Sequence, residues 1–443
     1  VTNVDAGTYN DQIVTFLTAQ GGVSTPTERL RIHSDGNVKV SKNLNVIGIA
    51  TVGSAVTISE SGIEASGIGI TCANINGGQI GGRKNIIING AMRIAQRATS
   101  STSNGYYTVD RFGVLYSGTD EAPTQAQVDV ASGTTPYTNG FRKALKITNG
   151  NQTSGAGASD YIIARYKIEA QDIANSGWNY ISSSSFITLS FWIKSSVAQN
   201  FYFNLIAADG TTQNYAYETG SLSADTWTKV TKTISGNSNL QFDNNNGTGL
   251  QIDFWAFAGT TYTASSVTLN QWAAYSSGNR MPDHPTTWYT TNDATFEVTG
   301  VQLEVGSQAT PFEHRTFAED YRGCLRYYYE SRGDGNTFFN SPNSYASGFF
   351  GFGLNGDRIS AGVRFPVPMR ATPSVTIIRP SDGVSGGVHL FRGVTGSNGG
   401  VDVTLSSPDT IDIGAFGFLY ISASAGITQG GGYLFHIKAN AEL

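Results

Sequence analysis

The chain has 443 residues, enough for two or three domains, and only 14% of them are charged, against roughly 25% in an ordinary soluble domain. Its net charge of −5 is mild and no cluster of Lys and Arg gives the footprint that nucleic acid requires, so nucleic acid is not an expected partner. No apolar run approaches the roughly 20 residues of a membrane-spanning helix, so membrane insertion is not expected either.

Gly, Ser, Thr and Asn take the place of the missing charges, which suits short strands and tight turns better than amphipathic helices. The expected class is therefore all-β. The sequence opens on Val1 rather than Met, so a preceding segment is expected to be missing, and no signal peptide is visible. Residues 1–84 hold only two aromatics, Tyr9 and Phe16, too few large side chains for a normal globular core. They carry recurrent apolar pairs instead: Leu30 and Ile32, Val38 and Val40, Leu44 and Val46, Ile47 and Ile49, Val56 and Ile58, Ile68 and Ile70. Asp35-Gly36 and Asn76-Gly77 separate them as turns do, so the segment reads as very short strands. Such strands need another surface to cover their apolar faces. Three copies wound about one axis supply it, so 1–84 is expected to be the fibrous shaft of a homotrimer.

All six tryptophans lie between Trp178 and Trp288, which marks a globular domain over 85–315. Ile187, Leu189, Phe191 and Ile193 alternate with Thr188, Ser190, Trp192 and Lys194. Leu250, Ile252, Phe254 and Ala256 alternate with Gln251, Asp253, Trp255 and Phe257. Both patterns predict strands with one buried side. The apolar parity changes across Gly300, from Phe296 and Val298 to Val301, Leu303 and Val305, which predicts a bulge. Asn-Gly pairs at 139–140, 149–150 and 246–247 add tight turns. Many short strands with frequent turns predict a jelly-roll β-sandwich.

Thr316 and Glu319 have capping-box spacing and predict a helix over 316–329, with Phe317, Tyr321, Cys324, Leu325 and Tyr328 on one face and Gly323 as its weak point. The remainder of 316–443 returns to strand and turn. Val363, Phe365 and Val367 alternate, as do Tyr433, Phe435 and Ile437, which predicts a second, smaller sandwich.

Little in this sequence resembles catalytic chemistry. Asp160, Glu169, Asp209, Glu218, Asp253, Glu297 and Glu304 could serve glycoside hydrolysis, but no motif pairs any two. No Gly-x-Ser-x-Gly elbow is present. Asp243-Asn-Asn-Asn-Gly-Thr-Gly249 is oxygen-rich like a calcium loop, yet Gly247 stands where a ligand is needed, and a plain Asn-Gly turn is the simpler reading. The five histidines are scattered, and Cys72 and Cys324 read as unrelated thiols. No enzyme, metal or cofactor is expected.

Sugar binding needs an aromatic face and a few polar groups. Trp192 and Trp255 each sit among polar residues on a strand face, and Trp272, Tyr275, Trp288 and Tyr289 share a turn-rich stretch with Asn279, Arg280 and Asp283. A rival cluster is Phe338, Phe339, Tyr345, Phe349 and Phe350. For each of these tryptophans the competing reading is a ring packed under a loop or between sheets.

Several motifs, taken together, resemble a known family. Asn85-Ile-Ile-Ile-Asn-Gly90 is followed by Arg93, Gln96-Arg97 and Asp110-Arg111-Phe112. Val301-Gln-Leu-Glu-Val-Gly306 runs through Ala309-Thr-Pro-Phe-Glu313 to Cys324-Leu-Arg-Tyr-Tyr328, and the sequence finishes on Ala439-Asn-Ala-Glu-Leu443. This set resembles a domain of bacteriophage tail fibres. Glu28-Arg-Leu-Arg-Ile-His-Ser-Asp-Gly-Asn-Val38 is similar to repeats in fibres of phages that infect marine cyanobacteria. Leu189-Ser-Phe-Trp-Ile-Lys194 and Thr226-Trp-Thr-Lys229 also look like carbohydrate-binding jelly rolls. The resemblance implies a virion tail fibre, assembled in the host cytoplasm and joined to a tail or baseplate protein through its missing N-terminal segment. Such a fibre attaches the particle to a host cell-surface receptor, expected to be a glycan, without catalysis. The alternatives are a fibre-borne glycan depolymerase and a purely structural baseplate or decoration protein.

Overall fold

A computed structural model of the protein describes residues 2–3, 14–18, 27–33, 36–40, 84–331, 348–391 and 400–443. The chain divides into two compact units, Val1–Thr71 and Cys72–Leu443. In the first, β1 (Thr2–Asn3), β2 (Val14–Thr18), β3 (Thr27–Ile32) and β4 (Val38–Val40) form an antiparallel meander in that order. Two of the expected apolar pairs meet across it, Leu30 opposite Val40 and Ile32 opposite Val38. Gly36 turns the chain between them with φ +86° and donates its N–H to His33 O. The pairs from Leu44 to Ile70, together with Cys72, Phe338, Phe339 and Tyr345, lie outside the described residues.

The second unit begins with β5 (Ser100–Ser101), β6 (Phe112–Ser117), β7 (Thr124–Asp129), α1 (Thr135–Thr138), β8 (Lys143–Thr148), β9 (Tyr161–Glu169) and α2 (Ala170–Ala174). It continues through β10 (Phe186–Ser195), β11 (Asn200–Ala207), β12 (Gln213–Ser221), β13 (Thr228–Ser235) and β14 (Thr248–Ala258). Then follow β15 (Trp272–Ala274), α3 (Thr287–Thr290) and β16 (Thr295–Val305). These strands make two six-stranded antiparallel sheets, β13-β10-β16-β8-β7-β5 and β15-β12-β11-β14-β9-β6. The sheets share one core, as the alternation demands. Ile187, Leu189, Phe191 and Ile193 of the first sheet and Leu250, Ile252 and Phe254 of the second are all fully buried. Phe191 meets Phe254 edge-on at 5.0 Å, and each such ring or aliphatic chain contributes roughly 1.5–3 kcal/mol by burial.

Gly300 sits where the ladder between β10 and β16 gains a residue: Ser190 pairs with Gln302, but Trp192 pairs with Thr299. Its φ of +63° is the left-handed region that glycine adopts freely, and an added Cβ would stand 2.6 Å from the Phe141 ring.

The helix α4 (Phe317–Leu325) starts at a complete capping box of Thr316 and Glu319. It stops four residues short of the expected end. Tyr328 is not on its face but opens β17 (Tyr328–Glu330), where its backbone is taken into a ladder opposite Asn440. Gly323 lets the helix come close to the sandwich, since a Cβ there would lie 2.9 Å from Ile88 Cγ2.

The last strands are β18 (Phe349–Asn355), β19 (Arg358–Arg364), β20 (Ser374–Ile378), β21 (Gly387–Phe391), β22 (Val401–Thr404), β23 (Asp409–Ile411), β24 (Gly417–Ser422) and β25 (Gly432–Asn440). They do not form the separate small sandwich that the sequence suggests. With β17 they make one branched nine-stranded sheet. The branch point is the nine-residue β25, whose first half pairs with β18 and β21 and whose second half pairs with β17 and β20. The sheet wraps a core of Ile359, Phe418, Ile421, Tyr433, Phe435 and Ile437.

Some of the motif residues brace the sandwich itself and others join it to this C-terminal sheet. Asn85 donates Nδ2 to Val301 O and accepts the Leu303 and Ile87 N–H groups on Oδ1. Asn89 bridges Ile94 and Asp110. Glu442 receives Arg111 and, at 3.3 Å, Arg97. Arg111 lies 3.4 Å over the Tyr327 ring and Arg97 3.7 Å over that of Tyr328. Arg326 forks onto Glu169 through two bonds of 2.7 Å, and Tyr327 adds a third of 2.6 Å.

Candidate functional site

The outward face of the second sheet differs from its core face. On β9 the inward residues are Ile162, Ala164, Tyr166 and Ile168, while Tyr161, Ile163, Arg165 and Lys167 point outward. The register sets Ile163 opposite Trp255, Arg165 opposite Asp253 and Lys167 opposite Gln251 on β14. On the other flank Asn204 of β11 faces Asp253 and Ile206 faces Gln251, with Asn214 of β12 opposite Ile206. The result is a stripe of polar, charged and aromatic side chains on a rigid sheet.

The 259–290 stretch folds back over one end of this stripe. It is tied down at Thr263, which bridges to Met281 and donates to Asp283 at 2.6 Å. Tyr275 N donates to Thr212 O at 2.9 Å, and the buried His284 contacts Tyr202 O through Nε2 at 3.1 Å. Arg280 N donates to Tyr262 O, and a side-chain chain holds the Arg280 carbonyl. Trp255 Nε1 donates to Asn204 Oδ1 at 2.7 Å, Asn204 Nδ2 to Asn214 Oδ1 at 2.7 Å, and Asn214 Nδ2 to Arg280 O at 2.8 Å. These buried amides tie the loop to the sheet.

Between loop and sheet lies a cleft of about 480 Å³. Its floor is Ile163, Ile206 and the buried Trp255, and its walls are the half-buried Tyr161, Tyr262, Tyr275, Arg165, Gln251 and Arg280. The tyrosines meet edge-on, Tyr161 with Tyr262 at 5.4 Å and with Trp255 at 6.1 Å. Arg165 forks onto Asp253 at 2.7 and 2.9 Å, and Gln251 donates to the same carboxylate at 2.8 Å. Burial by itself would lower the Arg165 pKa, but the Asp253 hydrogen bonds and charge outweigh it and hold the guanidinium above its usual range. Lys167 is pushed below the usual ammonium value, first by burial and then by the neighbouring Arg165. A larger hollow of about 710 Å³ beside α4 has Tyr327 as its one aromatic, and that hydroxyl is bonded to Glu169.

Of the aromatics expected to bind sugar, the structure brings together Trp255 and Tyr275, with Arg280 between them and Tyr262. Trp255 forms the floor and offers no free face, because Arg280 and Tyr262 cover it. Trp272, Trp288 and Tyr289 are corrected to core residues. Trp272 packs on Tyr215 and donates to Ser235 O, Trp288 donates to Thr295 O, and Tyr289 stacks on Phe257 at 4.2 Å and donates to Asp160. Their polar atoms are satisfied inside, so no face remains for a ligand. Trp192 lies half-buried on the outer face of the other sheet, against a small cluster with Phe141 and Ala144, away from the cleft. Phe349 packs against Phe435 in the C-terminal core, while Phe350 and Phe352 are exposed on the opposite face of β18. Sequence reading missed Tyr161, Arg165, Gln251 and Tyr262 as cleft residues. The alternation in β9 carries a signal for two of them, since its outward positions read Tyr, Ile, Arg, Lys. Among the described residues no group of three or more His, Cys, Asp or Glu converges as metal ligands would.

No family model matches the chain. No curated protein sequence matches it. Among solved structures it is similar to the enzymatically active domain of bacteriophage CBA120 tailspike protein 4, with 9% identity, 50% of this chain and 21% of that chain covered, and a TM-score of 0.27. The N-terminal cellulose-binding domain of Cellulomonas fimi β-1,4-glucanase C matches 49% of this chain over 99% of its own, at 12% identity and a TM-score of 0.23. The N-terminal tandem CBM22 domains of Paenibacillus barcinonensis Xyn10C match 83% of this chain over 99% of theirs, at 9% identity and a TM-score of 0.25. At such TM-scores these likenesses assign neither a family nor a ligand.

Proposed function

We propose that this chain is the receptor-binding part of a phage tail fibre, and that its sandwich domain holds a host cell-surface glycan in the cleft walled by Tyr161, Tyr262, Tyr275 and Arg280. The observation that carries the reading is the cleft. Three half-buried tyrosines stand beside Gln251 and two arginines where the 259–290 loop covers the sheet, combining aromatic faces with the few polar groups that sugar hydroxyls need. Binding without cleavage is supported by the state of Asp253, the carboxylate beneath the cleft, which is committed to Arg165 and Gln251. The fibre role, a place in the virion and attachment to a tail or baseplate protein rest on the resemblance of the motifs. A homotrimer is supported by the first unit, where Phe16, Leu17 and Val38 are exposed.

A single shallow sugar site binds near the millimolar range, about −4 kcal/mol, and three copies on one fibre raise the avidity by orders of magnitude. The test is adsorption of the full chain to host cells, with Tyr262→Ala and Tyr275→Ala as variants. Both variants should adsorb weakly while light scattering still reports an unchanged trimer. Normal adsorption by both removes the glycan site from this cleft. A monomer removes the fibre assembly, and cleavage of purified host polysaccharide replaces attachment with depolymerisation.

A further inference from the structure

Among the described residues, the second arginine of the cleft, Arg280, has no counter-charge. Its guanidinium lies over three rings, 5.1 Å from the centroid of Tyr262, 5.5 Å from Tyr275 and 5.7 Å from Trp255. Its Nε is buried without a hydrogen-bond partner. Among the described residues no carboxylate forms an ion pair with it. Asp283, the acidic residue nearest in sequence, is bonded to Thr263. Arg165 shows the contrast within the same cleft, being neutralised by Asp253.

No acidic side chain lines the cleft itself. Two residues beyond Arg165, on the same face of β9, Lys167 adds a further positive charge that no described carboxylate pairs. This face is therefore basic in a chain whose net charge is −5. Rings that flank a guanidinium satisfy its faces and leave its N–H edge free, which is the geometry that grips an oxyanion through two parallel bonds. A loop position fixed by the Trp255–Asn204–Asn214 chain keeps that edge in place before any ligand arrives.

We propose that the glycan held in this cleft is acidic, and that Arg280 reads its carboxylate, sulfate or phosphate substituent. This rests on the glycan-binding reading above and adds the class of sugar. The tyrosines contact the ring and its hydroxyls, and Arg280 sets the preference for charge. A charge-assisted hydrogen bond of this kind is worth roughly tenfold or more in affinity.

The experiment uses the full chain and matched pairs of probes by calorimetry or glycan array: oligogalacturonate and its carboxyl-reduced form, a sulfated oligosaccharide and its desulfated form, and a phosphorylated oligosaccharide and its dephosphorylated form. The acidic member of at least one pair should bind about tenfold or more tightly than its neutral partner, and the pair that responds identifies the substituent. Arg280→Gln should bring that ratio close to one, and Arg280→Lys should give an intermediate ratio. Tyr275→Ala should weaken both members alike. A ratio near one in the unaltered chain, with neutral sugars bound normally, overturns the acidic preference and leaves the glycan reading standing. A ratio that persists in Arg280→Gln moves the anion contact to another residue and overturns the assignment. If neither these probes nor purified host polysaccharide binds, both readings fall.

Discussion

Replacing Glu442 by Gln removes the one carboxylate on which Arg97 and Arg111 converge, and its cost can be worked from the geometry. The side chains of Glu442, Arg97 and Arg111 are 5%, 9% and 1% exposed, so water cannot take over the lost charge. Removing one partner of a buried pair costs about 3–5 kcal/mol, because the remaining charge is left without compensation. Both arginines keep part of their support. Arg97 retains Asp110 at 3.6 Å, and Arg111 retains the Lys167 carbonyl at 2.6 Å and the Tyr327 ring at 3.4 Å. The expected cost is therefore at the lower end, about 3 kcal/mol. For a domain of 150–250 residues that corresponds to a fall of about 6–12 °C in Tm. Differential scanning calorimetry of the full chain reads it directly. Arg111→Met combined with Glu442→Leu should recover part of the loss, since only Arg97, which keeps Asp110 at 3.6 Å, then lacks the Glu442 charge. A Glu442→Gln transition within about 2 °C of the unaltered one would refute the reasoning, and would mean that water or a neighbouring chain reaches this junction.

His284, which anchors the loop of the cleft, is held neutral, because burial outweighs the Tyr202 carbonyl and Asp283 and pushes its pKa from 6.5 down to about 3. A base depressed in this way stabilises the fold above pH 6.5, and that contribution is lost as pH falls toward about 3, at up to about 1.4 kcal/mol per unit. Asp110 runs in the opposite sense. Burial raises it from 3.8 to about 6 despite Arg97, so its contribution grows as pH falls through that window. The readout is accordingly the difference in urea midpoints between the unaltered chain and His284→Gln. It should shift against the unaltered chain by the equivalent of about 2 kcal/mol between pH 6.5 and 4.5, and parallel pH curves would contradict a buried neutral His284. Gly300→Ala must adopt φ +63° and displace Phe141, a loss of about 2–4 kcal/mol in equilibrium unfolding, partly relieved by adding Phe141→Leu. Leu325→Asp puts a charge at a position 7% exposed and should cost about 3 kcal/mol or more in a urea titration, whereas an unchanged midpoint would mean that this end of α4 is not packed.

Much of the architecture was legible because it depends on local periodicity. The alternations at Phe186–Lys194 and Leu250–Phe257 identified strands and their inward faces, the parity change located the bulge at Gly300, and Thr316 with Glu319 located the start of α4. Periodicity did not reveal where α4 ends, because Tyr328 leaves helical spacing to pair with Asn440, more than a hundred residues away in sequence. It did not reveal the shape of the C-terminal sheet either, since which strands share β25 is decided by non-local pairing. The cleft divides in the same way. Trp255, Tyr275 and Arg280 stood out as side chains suited to sugar, yet Trp272, Trp288 and Tyr289 looked equally suitable and are core. An aromatic ring has the same composition signal on a surface and in an interior. By itself the sequence determined the strands, the side chains that share each strand face, and the caps and turns at their ends, because each follows from the stereochemistry of neighbours along the chain. Only the tertiary structure decided which outward face the 259–290 loop covers, and so which rings are floor, wall or core and why Arg280 stands over Trp255. Those outcomes depend on contacts between segments far apart in the chain, which no local pattern encodes.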